Sequence, residues 1–233
     1  MEAKTGKAMA EDLKGAALLF DLDGTLVDTV EDLAAAMNHA LVEAGHASVP
    51  TSEVRHLVGH GARRMLMRGY VVSAGREAEA EELDLAMTRF LDHYQANIAV
   101  HSRPFDYAIE MIEGFLARGA RAAICTNKRE AMARLLIETL GVSHLFDAIV
   151  GADTTAAAKP DPAPVRLCLE KTNARRAVFI GDSDTDIRAA KAADLPCFIA
   201  DFGYGPITLA AETAGLFSHY REASRLIGAA LRP

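Results

Sequence analysis

The sequence predicts an α/β protein: a doubly wound, Rossmann-like parallel sheet interrupted by an inserted block of helices. Three observations predict it. The apolar run Ala16-Ala17-Leu18-Leu19-Phe20 reads as a strand buried on both faces, as in parallel sheets covered by helices. Between Asp28 and Arg103 no strand is legible, and apolar residues recur at helical spacing. From Pro104 onward, short apolar runs alternate with amphipathic stretches, the rhythm of β-α units.

In chain order, the first helix is expected over Thr29 to Ala44. Leu33, Met37, Ala40, Leu41 and Ala44 mark its apolar face, and Gly45 is placed to end it. Thr29 with Asp32 resembles a capping box, with Asp where Glu or Gln is usual. Helices follow over Ser52 to Val58, Arg63 to Tyr70 and Arg76 to Ile98. The apolar side of the last is carried by Leu83, Met87, Phe90, Leu91, Tyr94 and Ile98. Beyond Pro104 the expected order starts with helix Asp106 to Arg118, strand Arg121 to Cys125, helix Arg129 to Leu140 and strand Ala148 to Val150. Then come helix Pro162 to Lys171, strand Ala177 to Ile180, helix Asp186 to Ala193 and strand Cys197 to Ala200. Two closing helices are expected at Ile207 to Ala214 and Arg221 to Leu231.

Composition narrows the function. Half of the 233 residues are hydrophobic and 24% are charged, enough apolar material for a substantial core. A net charge of -7 without a basic block argues against nucleic acid and anionic membranes as partners. Cys125, Cys168 and Cys197 are widely spaced in apolar surroundings, which suits buried reduced thiols. No signal peptide or membrane span is legible, so a cytoplasmic location is expected.

The strand ends carry the chemistry, because open parallel sheets bind ligands at the carboxyl ends of their strands. The first strand ends in Asp21-Leu22-Asp23-Gly24. One carboxylate there can attack an electrophile while its neighbour moves a proton; an Asp-rich turn is the alternative reading. Strand Arg121 to Cys125 ends in Thr126-Asn127, a hydroxyl and an amide that can donate to phosphate oxygens, or an ordinary turn. Lys159-Pro160 follows the third strand and offers a point charge for an anion. Strand Ala177 to Ile180 ends in Gly181-Asp182-Ser183-Asp184-Thr185-Asp186, oxygen ligands suited to magnesium. Each group alone has an ordinary structural explanation. Their convergence on one sheet edge is that of an active site.

These residues resemble the haloacid dehalogenase superfamily. The signatures are Asp21-x-Asp23-Gly24-Thr25, Thr126-Asn127, Lys159-Pro160 and Gly181-Asp182-Ser183-x-x-Asp186, in family order. The helical insert looks like the small cap of the phosphoglycolate phosphatase-like branch. The resemblance implies an α/β core of residues 1–28 and 104–233, an α-helical cap of 29–103, and sheet order 3-2-1-4-5. It also implies a Mg2+-dependent hydrolysis of a small phosphorylated metabolite, with phosphoglycolate the leading expectation. In it Asp21 is the nucleophile and Asp23 the acid and base. The metal is held by Asp21, the main-chain carbonyl of Asp23, Asp182 and Asp186. Thr126, Asn127 and Lys159 hold the phosphoryl group. Sugar phosphates, nucleotides and pyrophosphate stay open as substrates, as do a sugar-phosphate mutase and a non-catalytic binding protein on the same fold. Asp23 argues against dehalogenation, since the dehalogenases of this family replace it. The protein is expected as a monomer or homodimer.

The cap loop Gly59-His60-Gly61 is expected to set substrate choice, with Arg63 and Arg64 either binding a substrate carboxylate or facing solvent. His56 and His60 are read as solvated histidines, and Met65, Leu66 and Met67 as cap core. Pro104-Phe105-Asp106-Tyr107 lacks the glycine usual just after that proline in these phosphatases, which bears on the second hinge of the cap.

Overall fold

The computed structural model describes residues 12–59, 61–205 and 207–232. Strand β1 (Ala16–Phe20) is fully buried and pairs on both edges. A two-residue strand β2 (Val27–Asp28) follows, and then helices α1 (Val30–Glu43), α2 (Thr51–Val54), α3 (Ala62–Ala74) and α4 (Ala80–Ala96), with a 3-10 turn over Arg55–Leu57. Strand β3 (Arg103–Pro104) returns antiparallel to β2, so the insert leaves and re-enters the core through one short ribbon. The sequence showed no strand in this stretch. Two residues are too few for a period-2 pattern, and the pairing joins segments far apart in the chain.

The core continues through α5 (Ala108–Leu116), β4 (Arg121–Cys125), α6 (Glu130–Thr139), β5 (Ala148–Val150), α7 (Ala163–Thr172), β6 (Arg176–Gly181), α8 (Asp184–Ala192), β7 (Cys197–Ala200), β8 (Gly215–Phe217) and α9 (Tyr220–Ala230). The main sheet runs β5-β4-β1-β6-β7-β8, and all its pairings are parallel. Counting the five strands foreseen, this is the expected order 3-2-1-4-5, with a sixth at the edge.

The period of two divides the strands between two cores. Leu18, Phe20, Ala122, Ile124, Val178 and Ile180 pack into one with α5, α6 and α9. Ala17, Leu19, Ala123, Cys125, Ala177 and Phe179 pack into the other with α7 and α8. Each large apolar side chain buried this way contributes roughly 1.5–3 kcal/mol.

Three local expectations are corrected. No helix forms over 207–214; a 3-10 turn at Ala210–Glu212 leads into β8 instead. That stretch buries no continuous apolar face, and Asp184 diverts its backbone by accepting hydrogen bonds from Thr208 N (2.9 Å) and Leu209 N (3.1 Å). Helix α4 starts at Ala80 rather than Arg76, because Glu79 and Glu82 form a reciprocal capping box. Thr29 makes no side-chain cap to α1, and its partner in the expected box is spent elsewhere. The buried Asp32 carboxylate accepts from His101 N, Ser102 N and Ser102 Oγ (2.6–3.1 Å), tying α1 to the segment that leads into β3.

The same segment, just past β3, holds a backbone strain. Tyr107 adopts φ 66° at the start of α5, a left-handed conformation unusual for a residue with a Cβ. Its ring lies under the Arg221 guanidinium, 4.2 Å from the ring centre. Tyr107→Ala keeps the strained Cβ and loses the stacking, whereas Tyr107→Gly loses both. The glycine variant should therefore be the more stable of the two by about 1 kcal/mol in denaturant unfolding; equal midpoints would show that the backbone here is not strained.

Candidate active site

Asp21 is the first residue past β1, and its N–H still donates to Ile180 O of the neighbouring β6 (2.8 Å). That bond sets the acidic ends of β1 and β6 side by side. The buried carboxylates of Asp21, Asp182 and Asp186 offer oxygens that all lie within 4.8 Å of one another. Lys159 Nζ, also buried, bonds Asp21 Oδ1 at 2.9 Å and Asp186 Oδ1 at 2.6 Å. Two of the three carboxylates thus share one ammonium.

Each acid is held by its own frame. Asp21 Oδ1 also accepts from Leu22 N (2.7 Å), and Oδ2 accepts no hydrogen bond among the described residues. Asp186 Oδ2 accepts from Ser183 Oγ (2.6 Å) and from the Asp182 and Ser183 amides (both 3.2 Å), in the capping box that opens α8. Asp182 accepts from Thr25 Oγ1 (2.9 Å) and Tyr204 N (3.0 Å). A Cβ on Gly24 would stand 2.5 Å from Asp182 Oδ2, and one on Gly203 would also collide with Asp182. Gly24 is doubly constrained, since its φ is +80°.

Burial pushes the Asp21 carboxyl up to about 6, with Lys159 opposing the shift and the Asp186 charge adding to it. Burial, then Asp186 and Asp21, drives Asp182 well above the carboxylate range. Burial works against the charge of Lys159, but Asp186 and Asp21 outweigh it and its pKa is raised. An excess of buried negative charge on hard oxygen atoms fits a divalent cation.

Asp23 points elsewhere. Lys128 Nζ bonds its two oxygens at 2.7 and 2.9 Å, and Thr29 Oγ1 donates at 2.7 Å. Burial disfavours the Lys128 charge, yet Asp23 holds its pKa above the usual lysine value. Asp23 opens, with Asp21, onto a cavity of about 620 Å³ between β-strand ends and insert. Thr126, Asn127, Lys159, Gly59, Gly61, Arg63 and Arg64 also line it. Asn127 Nδ2 donates to Lys159 O (3.1 Å), while its Oδ1 is buried without a partner.

The structure therefore brings together all the core residues picked from the sequence. The insert residues divide. Arg63 is exposed and paired with Asp84 on α4 (2.6 Å), whereas Arg64, also exposed, forms no ion pair among the described residues. His60 lies outside the described residues, and His56 is exposed. Met65 and Leu66 are core, as expected, but Met67 is exposed.

Sequence reasoning missed Lys128, Tyr94 and Tyr204. Lys128 directly follows Thr126-Asn127, so reading that strand end one residue further would have found it. In the sequence Tyr94 marks only an apolar position of its helix. Tyr204 lies past β7, whose end was not read; its hydroxyl accepts from Thr29 N (2.5 Å) and donates to Asp28 Oδ1 (2.8 Å). From the insert, Arg55 donates to Phe202 O (2.8 Å) and stacks over the Tyr204 ring at 5.0 Å.

With this geometry described, comparison with known proteins is direct. The family model of haloacid dehalogenase-like hydrolases matches residues 18–200. The chain belongs to this family. As a haloacid dehalogenase-like enzyme it is a phosphoric monoester hydrolase. It is 44% identical over 189 residues to a phosphoglycolate phosphatase of Mesorhizobium japonicum, covering 80% of this chain and 83% of that one. A phosphoglycolate phosphatase of Caulobacter vibrioides is 40% identical over 195 residues, covering 83% and 82%. The crystal structure of a predicted phosphoglycolate phosphatase from Haemophilus somnus superposes with TM-score 0.84 at 26% identity, covering 92% of this chain and 98% of that one. Among the described residues no helix is long and apolar enough to cross a membrane.

The raised acids give the metal-free protein a signed pH dependence. An acid whose folded pKa exceeds its unfolded value stabilises the fold below the unfolded value and loses that contribution as pH rises through the folded one. For Asp21 the window runs from about 4 to about 6, and the loss is on the order of 3 kcal/mol. Acids held low by their partners, such as Asp12 and Glu82, act in the opposite sense below about pH 4. Chelator-treated protein should therefore unfold more easily at pH 7 than at pH 5, and Asp182→Asn should flatten the difference. A stability profile level over that range would contradict the assignment.

Proposed function

We propose that this enzyme is a Mg2+-dependent phosphatase acting through an aspartyl phosphate on Asp21, and that its substrate is phosphoglycolate. The observation that carries the chemistry is the buried Asp21–Asp182–Asp186 cluster with its single ammonium, opening onto the cavity beside Asp23. The substrate choice rests on the names of the relatives. Asp21, Asp182, Asp186 and the main-chain carbonyl of Asp23 would hold the ion. Bound there, magnesium supplies the positive charge that lets an anionic nucleophile approach a phosphate dianion.

Asp21 attacks phosphorus through Oδ2, the oxygen left without a hydrogen bond while Lys159 and Leu22 N hold Oδ1. The P–O bond to the leaving alcohol breaks, and Asp23 delivers a proton to that oxygen. Asp23 then takes a proton from water, which attacks phosphorus and releases inorganic phosphate and free Asp21. Three groups have a donor left for the phosphoryl oxygens. Thr126 Oγ1 accepts from Lys128 N (3.1 Å) and keeps its own proton. Asn127 Nδ2 spends one N–H on Lys159 O, and Lys159 spends two on Asp21 and Asp186. Residues 29–103 act as a cap on a core of 1–28 and 104–233, with Gly59, Gly61, Arg63 and Arg64 facing the leaving group. Closure of such a cap excludes water during the first step. The buried free cysteines suit a cytoplasmic enzyme.

Asp21→Asn should abolish turnover of phosphoglycolate and p-nitrophenyl phosphate while leaving the circular dichroism spectrum intact. Rapid quench of the parent with labelled substrate should trap phosphate on Asp21; retained turnover in the variant would remove it as nucleophile.

Asp182→Ala should lower magnesium affinity about 10- to 100-fold, the usual cost of disturbing a metal site. Titrating activity against magnesium measures this, and activity indifferent to chelator would rule out the metal. A panel of phosphoglycolate, sugar phosphates, nucleotides and pyrophosphate decides the substrate.

A further inference from the structure

The loop beyond β7 grips the insert at both of its crossings. Phe202 packs against Phe105, just past β3, with ring centres 4.6 Å apart. Two residues on, the Tyr204 hydroxyl accepts from Thr29 N (2.5 Å) and donates to Asp28 Oδ1 (2.8 Å) at the end of β2. From the insert, Arg55 donates to Phe202 O (2.8 Å) and lies over the Tyr204 ring. The ring is also pressed against the first acidic loop: a Cβ on Gly24 would stand 2.9 Å from Tyr204 Cδ2. Packing alone would be met by a phenylalanine. A buried hydroxyl costs free energy unless it is bonded, and this one is bonded twice to the same crossing. Tyr204 is 2% exposed and does not line the cavity, so it acts on the reaction only through other residues.

The residue it reaches is Asp23. Thr29, whose amide Tyr204 holds, spends its hydroxyl on Asp23 Oδ1 (2.7 Å) instead of capping α1. Lys128 Nζ bonds the same oxygen at 2.7 Å and Oδ2 at 2.9 Å. Among the described residues Oδ1 therefore has two donors and Oδ2 one, which leaves Oδ2 as the oxygen with room for a proton.

Resting on the phosphatase reading above, we propose that Tyr204 is a positioning residue for Asp23. Its hydroxyl fixes the Thr29 backbone, and Thr29 in turn holds the Asp23 carboxyl with Oδ2 free to meet the leaving oxygen. Proton delivery needs the two oxygens within hydrogen-bond reach of each other. Lys128 cannot set that geometry alone, because its long side chain can follow the carboxylate as it turns. A threonine hydroxyl is stiff about χ1, and this one is anchored through its own amide.

The test isolates proton delivery by varying the leaving group. p-Nitrophenolate leaves without a proton, whereas phenolate, nearly the same size and more basic, is helped by one. kcat/KM for p-nitrophenyl phosphate and phenyl phosphate reports the step in which the P–O bond breaks, and Asp23→Asn sets the full size of the split between them. Tyr204→Phe keeps the ring and the amide that bonds Asp182. It should lower kcat/KM for phenyl phosphate roughly 3- to 10-fold, the worth of one hydrogen bond, and for p-nitrophenyl phosphate much less. Thr29→Val should show the same split, and Thr29→Ser should recover most of what is lost. Adding Tyr204→Phe to Thr29→Val should change little further, because the two act in series. The magnesium needed for half activity should stay at the parent value. Equal losses on the two esters, a shifted magnesium requirement or full additivity would make Tyr204 a structural prop of the loop and overturn the proposal. A split in Asp23→Asn with none in Tyr204→Phe overturns the positioning role while the phosphatase reading stands. If Asp23→Asn treats both esters alike, or the parent is inactive on every phosphate ester, the proposal falls together with that reading of Asp23.

Discussion

The ammonium of Lys159, bonded to Asp21 and Asp186 in a buried site, is the interaction on which the site depends. Three carboxylates crowd the ends of two adjacent strands, and their burial shields them from bulk solvent. Removing the one cation from such a cluster costs about 3–5 kcal/mol, because it leaves buried charge without compensation. The strand pairing needs this interaction as well. β1 and β6 can lie in register only if the acids ending them tolerate each other, and Lys159 makes that possible from a third loop. The remaining negative charge is then a binding asset, since a cation entering the site relieves repulsion that folding has already imposed.

The second carboxylate of the first loop is governed by the boundary between core and insert. Asp23 is bonded to Lys128 of the core and to Thr29, the residue before α1. Thr29 N in turn donates to Tyr204, which bonds Asp28 on the β2–β3 ribbon. Tyr204 N holds Asp182. A continuous set of hydrogen bonds therefore joins the ribbon through which the insert is attached, the proton-transfer candidate and one acid of the buried cluster. Arg55 reaches this set from the insert through Phe202 O and the Tyr204 ring. Any displacement of the insert would bear on Asp23 directly, through Thr29.

Legibility of the sequence followed the range of the forces involved. Strands Arg121–Cys125, Ala148–Val150 and Cys197–Ala200 were read to the residue, because their apolar runs end in turn residues and each is buried in full or nearly so. Segment 207–214 was misread because its composition favours a helix, while the Asp184 carboxylate, more than twenty residues away, takes its amides. Thr29 and Asp32 had the spacing of a cap but found better partners across the ribbon, in Asp23 and in residues 101–102. Tyr107 shows the reverse: nothing in its residue type signals the left-handed backbone that the fold imposes on it.

What the sequence by itself determined is the alternation of elements and the identity of the acids, hydroxyls and lysine at the strand ends. Those follow from local periodicity and from polar residues placed where a buried strand stops. Only the tertiary structure decided which of those groups touch. It turned Asp23 toward Lys128 and away from the Asp21–Asp182–Asp186 cluster, paired Arg63 with Asp84, and set Lys128 over the Tyr94 ring. Each outcome depends on side chains brought together across the sheet and the insert by packing, and no local pattern in the chain encodes a distance of that kind.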